Sequence, residues 1–255
     1  MSKQNATRPD AKKAAKILSD FVSRDKSRTA LQSVFHDKEA GVAVASDGRA
    51  LIATKHGFDP DAKPLDAYYH WQKVIPCEKS LVNATTVNPA ELAKTCKSAI
   101  RLAKATGYKG EYVIVALRMG DKGDKIATVD AKLMLKVAEA MAANGLTELR
   151  TGKDVGKEPI MTKNADTTIV FMPLRVNDGA ADVTAGRCRG AHLVISADSG
   201  RIISAPERTD TGNFSRERLD ASRKELGEAE IARIEKRNAA EDEIDALMGA
   251  PKPAP

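Results

Sequence analysis

Gly41-Val42-Ala43-Val44-Ala45-Ser46-Asp47-Gly48-Arg49-Ala50-Leu51-Ile52-Ala53-Thr54 decides how this chain is read. Two short apolar runs flank four polar residues with Asp-Gly at their centre. That pattern predicts strands over Gly41–Ala45 and Ala50–Thr54 joined by a tight turn at Ser46–Arg49, because an Asp-Gly pair accepts the backbone twist of a hairpin. Upstream, Pro9 and Asp10 open a helix to about Arg24, with Ala14, Ile17, Leu18, Phe21 and Val22 on one face. A further strand is expected at Ala30–Phe35. Downstream, residues 56–67 read as a loop and Tyr69–Ile75 as a strand stopped by Pro76.

The same unit then recurs. A strand over Leu81–Val87 leads to a helix that Asn88-Pro89 starts and that runs to about Ala105, with Leu92, Cys96, Ala99, Ile100 and Ala103 as its apolar face. Strands at Tyr112–Met119 and Lys125–Val129 follow. A third helix over Ala131–Ala143 places Leu133, Val137, Ala140 and Met141 inward, and Asn144-Gly145 ends it. Strands at Thr147–Thr151, Pro159–Thr162 and Thr168–Val176 complete the unit. A helix followed by short strands thus appears about three times, in pattern only. The expected class is α+β, with repeated helix-plus-antiparallel-strand units, the helices on one face of the sheets, and a C-terminal charged helix.

The outward helix positions are basic: Lys12, Lys13, Lys16 and Arg24 on the first, Lys94, Lys97, Arg101 and Lys104 on the second, Lys132 and Lys136 on the third. The chain as a whole has 255 residues and a formal charge of +6. The charge is uneven, about +9 over Met1–Ser204 and −4 over Ala205–Met248. A basic body with an acidic tail points to a polyanion, although solvated helix faces are commonly rich in lysine. Residues 177–189 are loop-like, His192–Ser196 and Arg201–Ala205 read as a hairpin, and Asn213–Met248 reads as a charged helix.

Other chemistries fit poorly. Thr151-Gly152-Lys153-Asp154-Val155-Gly156-Lys157-Glu158 resembles a phosphate loop, but its glycine spacing is one short, and Glu158 stands where Ser or Thr should reach magnesium. His36, His56, His70 and His192 have no metal-ligand spacing, and no serine elbow accompanies them. Cys77, Cys96 and Cys188 suit reduced thiols. Aromatic residues make up 4% of the chain, too few for base-stacking platforms. The expectation is a non-enzymatic, cofactor-free, cytoplasmic, nucleoid-associated protein with no secretory signal and no membrane partner.

Three segments in order resemble the bacterial DNA polymerase III beta sliding clamp family. Ala45-Ser46-Asp47-Gly48-Arg49-Ala50-Leu51 is similar to the family's Ala-Thr-Asp-Gly-His-Arg-Leu turn. Tyr68-Tyr69-His70-Trp71-Gln72-Lys73-Val74-Ile75-Pro76 is similar to its Phe-Pro-Asp-Tyr-Arg-Arg-Val-Ile-Pro. Thr168-Ile169-Val170-Phe171-Met172-Pro173-Leu174-Arg175-Val176 is similar to its terminal Tyr-Val-Val-Met-Pro-Met-Arg-Leu. The resemblance covers residues 10–176. It departs from the family in lacking the turn's histidine, in having three helices in place of six, and in continuing for about 80 residues past the terminal segment.

The resemblance implies a shortened, divergent clamp of phage or mobile-element type. Residues 6–80 and 81–176 would be clamp-like domains, 177–212 a loop and hairpin extension, and 213–255 a charged helix and tail. It implies a homo-oligomeric ring around double-stranded DNA that tethers a DNA polymerase or another replication protein, with the basic helix positions above facing the duplex. A partner-peptide pocket would carry over to Val170, Met172, Pro173, Leu174 and Arg175, although Val170 and Met172 suit a plain strand core equally well. The alternative is a clamp-fold interaction or structural module that closes no ring on DNA.

Overall fold

A computed structural model describes residues 11–63, 70–105, 112–120, 125–174, 193–197 and 202–204. The expected tail helix at Asn213–Met248 lies outside them, as does Arg175. Residues 11–101, 112–174 and the strands beyond belong to one compact unit. The last turn of the second helix, residues 102–105, is grouped with the C-terminal segment as another.

The class is α+β. Among the described residues, three helices, α1 (Ala11–Phe21), α2 (Pro89–Ala105) and α3 (Ala131–Asn144), are set among eleven strands. The first sheet is antiparallel throughout. It contains β1 (Phe35–Asp37), β2 (Val42–Ser46), β3 (Ala50–Thr54), β4 (Asn83–Thr86), β7 (Glu148–Thr151), β8 (Ile160–Lys163) and β9 (Thr167–Phe171), in the order β1-β2-β3-β9-β8-β7-β4. The second sheet contains β5 (Val113–Met119), β6 (Lys125–Asp130), β10 (Leu193–Ser196) and β11 (Ile202–Ser204), in the order β11-β10-β5-β6. In it, β10 runs parallel to β5.

The hairpin quoted at the outset forms with Ser46 opposite Leu51. Gly48 sits at φ +85°, a conformation that suits glycine. Asp47 Oδ1 accepts from the backbone N–H groups of Arg49 and Ala50, both at 2.8 Å. The local chemistry therefore closes the turn without help from the rest of the fold.

β3 is buried along its whole length because β2 flanks one edge and β9 the other. Ala14, Leu18 and Phe21 of α1 are buried, and that helix packs on β2, β3 and α3. α3 in turn packs on β5 and β6, so α1 and α3 form the layer through which the sheets share a core. The outer end of α3 is held by polar groups. Thr54 donates to Thr167 (Oγ1–Oγ1 2.8 Å), Thr167 donates to Asn144 Oδ1 at 3.1 Å, and Asn144 Nδ2 donates to the Ala140 carbonyl at 2.8 Å. The Thr54, Thr167 and Asn144 side-chain oxygens are thus each partnered, as burial demands. Gly145 then ends α3 in the left-handed conformation, φ +66°.

The structure ends the first helix at Phe21, short of Arg24, and departs further from the sequence reading in three strands. The strand expected over Ala30–Phe35 is a one-turn 3-10 helix, Thr29–Leu31, and only then β1. Local bonds win there: Leu31 donates to the Arg28 carbonyl, and the Leu31 carbonyl accepts from Ser23. The strand expected over Tyr69–Ile75 contains a 3-10 helix, Trp71–Val74. Its Trp71 ring packs with Val44, Leu51 and Ala53, and its indole N–H donates to Asp37 at 2.8 Å. The described residues of this segment thus bury a single indole and join no sheet ladder. Finally, β9 stops at Phe171, five residues short of the expected end, because Pro173 has no N–H to continue a ladder.

Candidate nucleic-acid interface

α2 is the clearest of the basic helices. Asn88 caps it, its Oδ1 accepting from the Ala90 and Glu91 N–H groups at 3.0 and 3.3 Å. Leu92, Ala93, Cys96 and Ala99 are buried. Burial pushes the Cys96 thiol up to about 12, so that sulfur is an inert core atom. Lys94, Lys97, Arg101 and Lys104 stand three and four residues apart and are all exposed. Three to four residues is one helical turn, so they form a single stripe. Lys94, Arg101 and Lys104 make no ion pair among the described residues.

On α1, Lys12, Lys13 and Lys16 are exposed, and Arg24 is exposed just beyond the helix. Lys16 forms an ion pair with Asp20 one turn on, at 2.8 Å, and the hydrogen bond and charge of that carboxylate raise the lysine's pKa. On α3, Lys132 is exposed, whereas Lys136 is not the outward residue that periodicity suggested. Its side chain is 17% exposed and is ion-paired with Asp47 in the β2–β3 turn. Its ammonium also lies 5.0 Å from the centroid of the Phe21 ring on α1. The Asp47 carboxyl has its pKa lowered from the usual carboxylate value. Burial opposes this, but the Lys136 ammonium and the turn N–H groups outweigh burial.

The three helices converge on one acidic residue that the sequence reading did not single out. Glu139 of α3 takes Lys97 of α2 at 2.9 Å. Its charge also acts on Lys16 of α1. A cavity of about 140 Å³ is lined by Lys13, Lys16, Ile17, Asp20, Phe21, Lys136 and Glu139. The available signal was that Glu139 is the sole acid in α3 and lies one turn from Lys136.

The terminal-segment residues separate into two groups. Val170 is buried in β9, opposite Leu51 and Met161. Met172 is 38% exposed, and its N–H donates to the Arg49 carbonyl of the turn at 2.9 Å. Pro173 is buried. Leu174 packs against Ile114 and Ala116, and its N–H donates to the Thr128 carbonyl at 2.7 Å. Arg49 lies 5.3 Å from the Tyr112 ring centroid and donates to its hydroxyl at 3.2 Å. The segment thus leaves the first sheet at Phe171 and hydrogen-bonds to the second at Thr128.

The phosphate-loop-like stretch is the β7–β8 connection. Glu158 folds back on it, its carboxylate accepting from the Asp154 N–H at 3.2 Å and standing over Gly152. Among the described residues, no group of three or more His, Cys, Asp or Glu side chains could hold a metal ion. None of the described helices is long and apolar enough to cross a membrane.

No protein-family model and no curated protein sequence matches this chain. Three of the solved structures similar to it are the following. The DNA polymerase III subunit beta of Borrelia burgdorferi is 12% identical, with a TM-score of 0.46 over 66% of this chain and 62% of that one. The DNA polymerase sliding clamp of Bacillus subtilis is 14% identical, with a TM-score of 0.47 over 67% and 64%. The C. crescentus beta sliding clamp is 16% identical, with a TM-score of 0.45 over 69% and 67%. The chain spans less than two thirds of the first two.

Proposed function

We propose that this chain is a sliding-clamp-like, non-enzymatic factor that binds duplex DNA without reading its sequence and tethers a DNA polymerase or another replication protein. One observation carries the reading. The turn and the terminal segment that resemble the clamp family are far apart in the chain but adjacent in the fold. Leu51 pairs with Val170, Ala50 pairs with Phe171, and Met172 bonds back to Arg49. A shared resemblance and a shared location support each other.

In this reading the chain is a shortened, divergent clamp of phage type that works in the cytoplasm as a homo-oligomeric ring. The exposed cations Lys12, Arg24, Lys94, Arg101, Lys104 and Lys132 touch phosphates, with Lys13, Lys16, Lys97 and Lys136 beside them. Phosphate contacts give affinity that falls with salt and carries no base readout, which suits a protein that slides. Met172, Pro173, Leu174 and Arg175 border the partner-peptide pocket, and Val170 supports it from the core. A second reading, a clamp-fold interaction module that closes no ring, is favoured by one feature: acids oppose several of the helix lysines.

The test uses the full chain and a fluorescent duplex of arbitrary sequence, read by anisotropy across a salt series. Replacing Lys94, Lys97, Arg101 and Lys104 together by glutamate abolishes binding if the stripe faces phosphate. An unchanged salt slope in that variant rules the stripe out. Light scattering with linear and circular DNA separates the two readings, since only a ring is retained selectively on the circle.

A further inference from the structure

The proposed duplex surface carries its own anion. Glu139 is placed where α1, α2 and α3 meet. It bonds Lys97 at 2.9 Å and lines the cavity that Lys13, Lys16 and Lys136 also line. Its side chain is 41% exposed and that of Lys97 is 50% exposed, so the pair is open to solvent and to competing anions. An exposed pair of this kind is worth little to stability. Its cost to a polyanion ligand is larger, because a phosphate must displace the carboxylate to reach Lys97 and is also repelled by it.

We propose that Glu139 is an internal competitor of DNA phosphate, withholding Lys97 and setting the affinity of the helix face below what its lysines alone would give. The inference rests on the reading of this surface as a duplex interface. A protein that must move along DNA gains from such a residue, since each phosphate bond it makes is an exchange between two anions.

The magnitude follows from counterion release. One newly available cation adds about one phosphate contact, which steepens the log–log salt slope by about 0.9 and raises affinity about eight-fold near 0.1 M salt. Lys97→Met in the wild-type background should therefore cost less affinity than Lys94→Met, because that lysine already bonds Glu139. Lys94→Met, which removes a cation with no ion pair among the described residues, should cost about eight-fold.

The experiment measures full-length protein with a fluorescent duplex by anisotropy from 50 to 300 mM salt. The expected result is tighter binding and a steeper slope for Glu139→Gln, with the gain lost in Glu139→Gln/Lys97→Met. Glu78→Gln is the control. Glu78 pairs with Lys163 at the end of β8 and is not among the residues lining the Glu139 cavity, and the substitution changes net charge equally; its slope should not move. An unchanged slope in Glu139→Gln with normal wild-type binding overturns the inference alone. An equal gain from Glu78→Gln overturns it too, by showing a global charge effect. Absence of salt-dependent binding by every form overturns the duplex reading and this inference with it. Should Glu139→Gln fail to fold, the contrast between Lys97→Met and Lys94→Met decides: equal losses refute the withholding of Lys97.

Discussion

Asp47→Asn is expected to destabilise the protein by about 2 kcal/mol. Breaking one side of a fully buried ion pair costs about 3–5 kcal/mol. Here the Lys136 and Asp47 side chains keep 17% and 25% of their exposure, which brings the figure down. Asparagine still offers an oxygen to the Arg49 and Ala50 N–H groups, so the turn survives. Asp47→Ala removes that oxygen as well. Each unsatisfied N–H adds about 1 kcal/mol, for a total of about 4 kcal/mol.

The assay is urea unfolding followed by tryptophan fluorescence, with thermal melts in parallel. At about 2–4 °C per kcal/mol for a domain of this size, Asp47→Asn should lower Tm by about 4–8 °C. Lys136→Met removes the cation but leaves an apolar stem over Phe21. The double variant should therefore be less destabilised than the sum of the singles, by about 1 kcal/mol or more. The pH dependence has a definite sign. The folded Asp47 carboxyl ionises below its unfolded value, so its contribution is complete above about pH 4 and is lost as pH falls through the folded value. Asp47→Asn should flatten that acid limb. A loss under 0.5 kcal/mol, or strict additivity with Lys136→Met, would refute the assignment.

Two further outcomes follow from side-chain environment. In a Cys188→Ser background, native protein at pH 8 should titrate one thiol with a disulfide reagent, the exposed Cys77, and two after unfolding, because Cys96 is buried with its pKa at about 12. Trp71 is the sole tryptophan, and its indole bonds Asp37, which also accepts from Gln72 at 3.1 Å. Asp37→Ala should red-shift the emission and cost about 1–2 kcal/mol in urea, and an unshifted spectrum would contradict that contact.

Much of this fold is legible in the sequence where the signal is local. β3 appears with the expected bounds because Asp-Gly closes its turn unaided, and α2 because Asn88-Pro89 starts it and its apolar spacing is regular. The segment before Pro76 misled the reading because its aromatic and β-branched residues suit a strand, whereas Trp71 is buried from a 3-10 turn without a ladder. Lys136 misled it because periodicity assigns a polar residue to solvent, whereas its partner Asp47 lies on a hairpin remote in sequence. Glu139 was missed for the same reason: a single acid acquires meaning only when three helices bring lysines to it.

The pairing of β3 with β9 has a consequence for synthesis of the chain. Ala50 finds its neighbour only in Phe171, and β5 meets its parallel neighbour β10 only at Leu193. At about 5–20 residues per second, the free edge of β3 waits about 6–24 s on the ribosome before its partner is made. During that interval Ala-Leu-Ile-Ala-Thr is an unpaired apolar strand, open to pairing with any other nascent chain. The N-terminal hairpin can form early but cannot be completed early. Slow, non-local closure of this kind makes folding yield depend on translation speed and chaperone supply, and β3 is the segment on which that dependence acts.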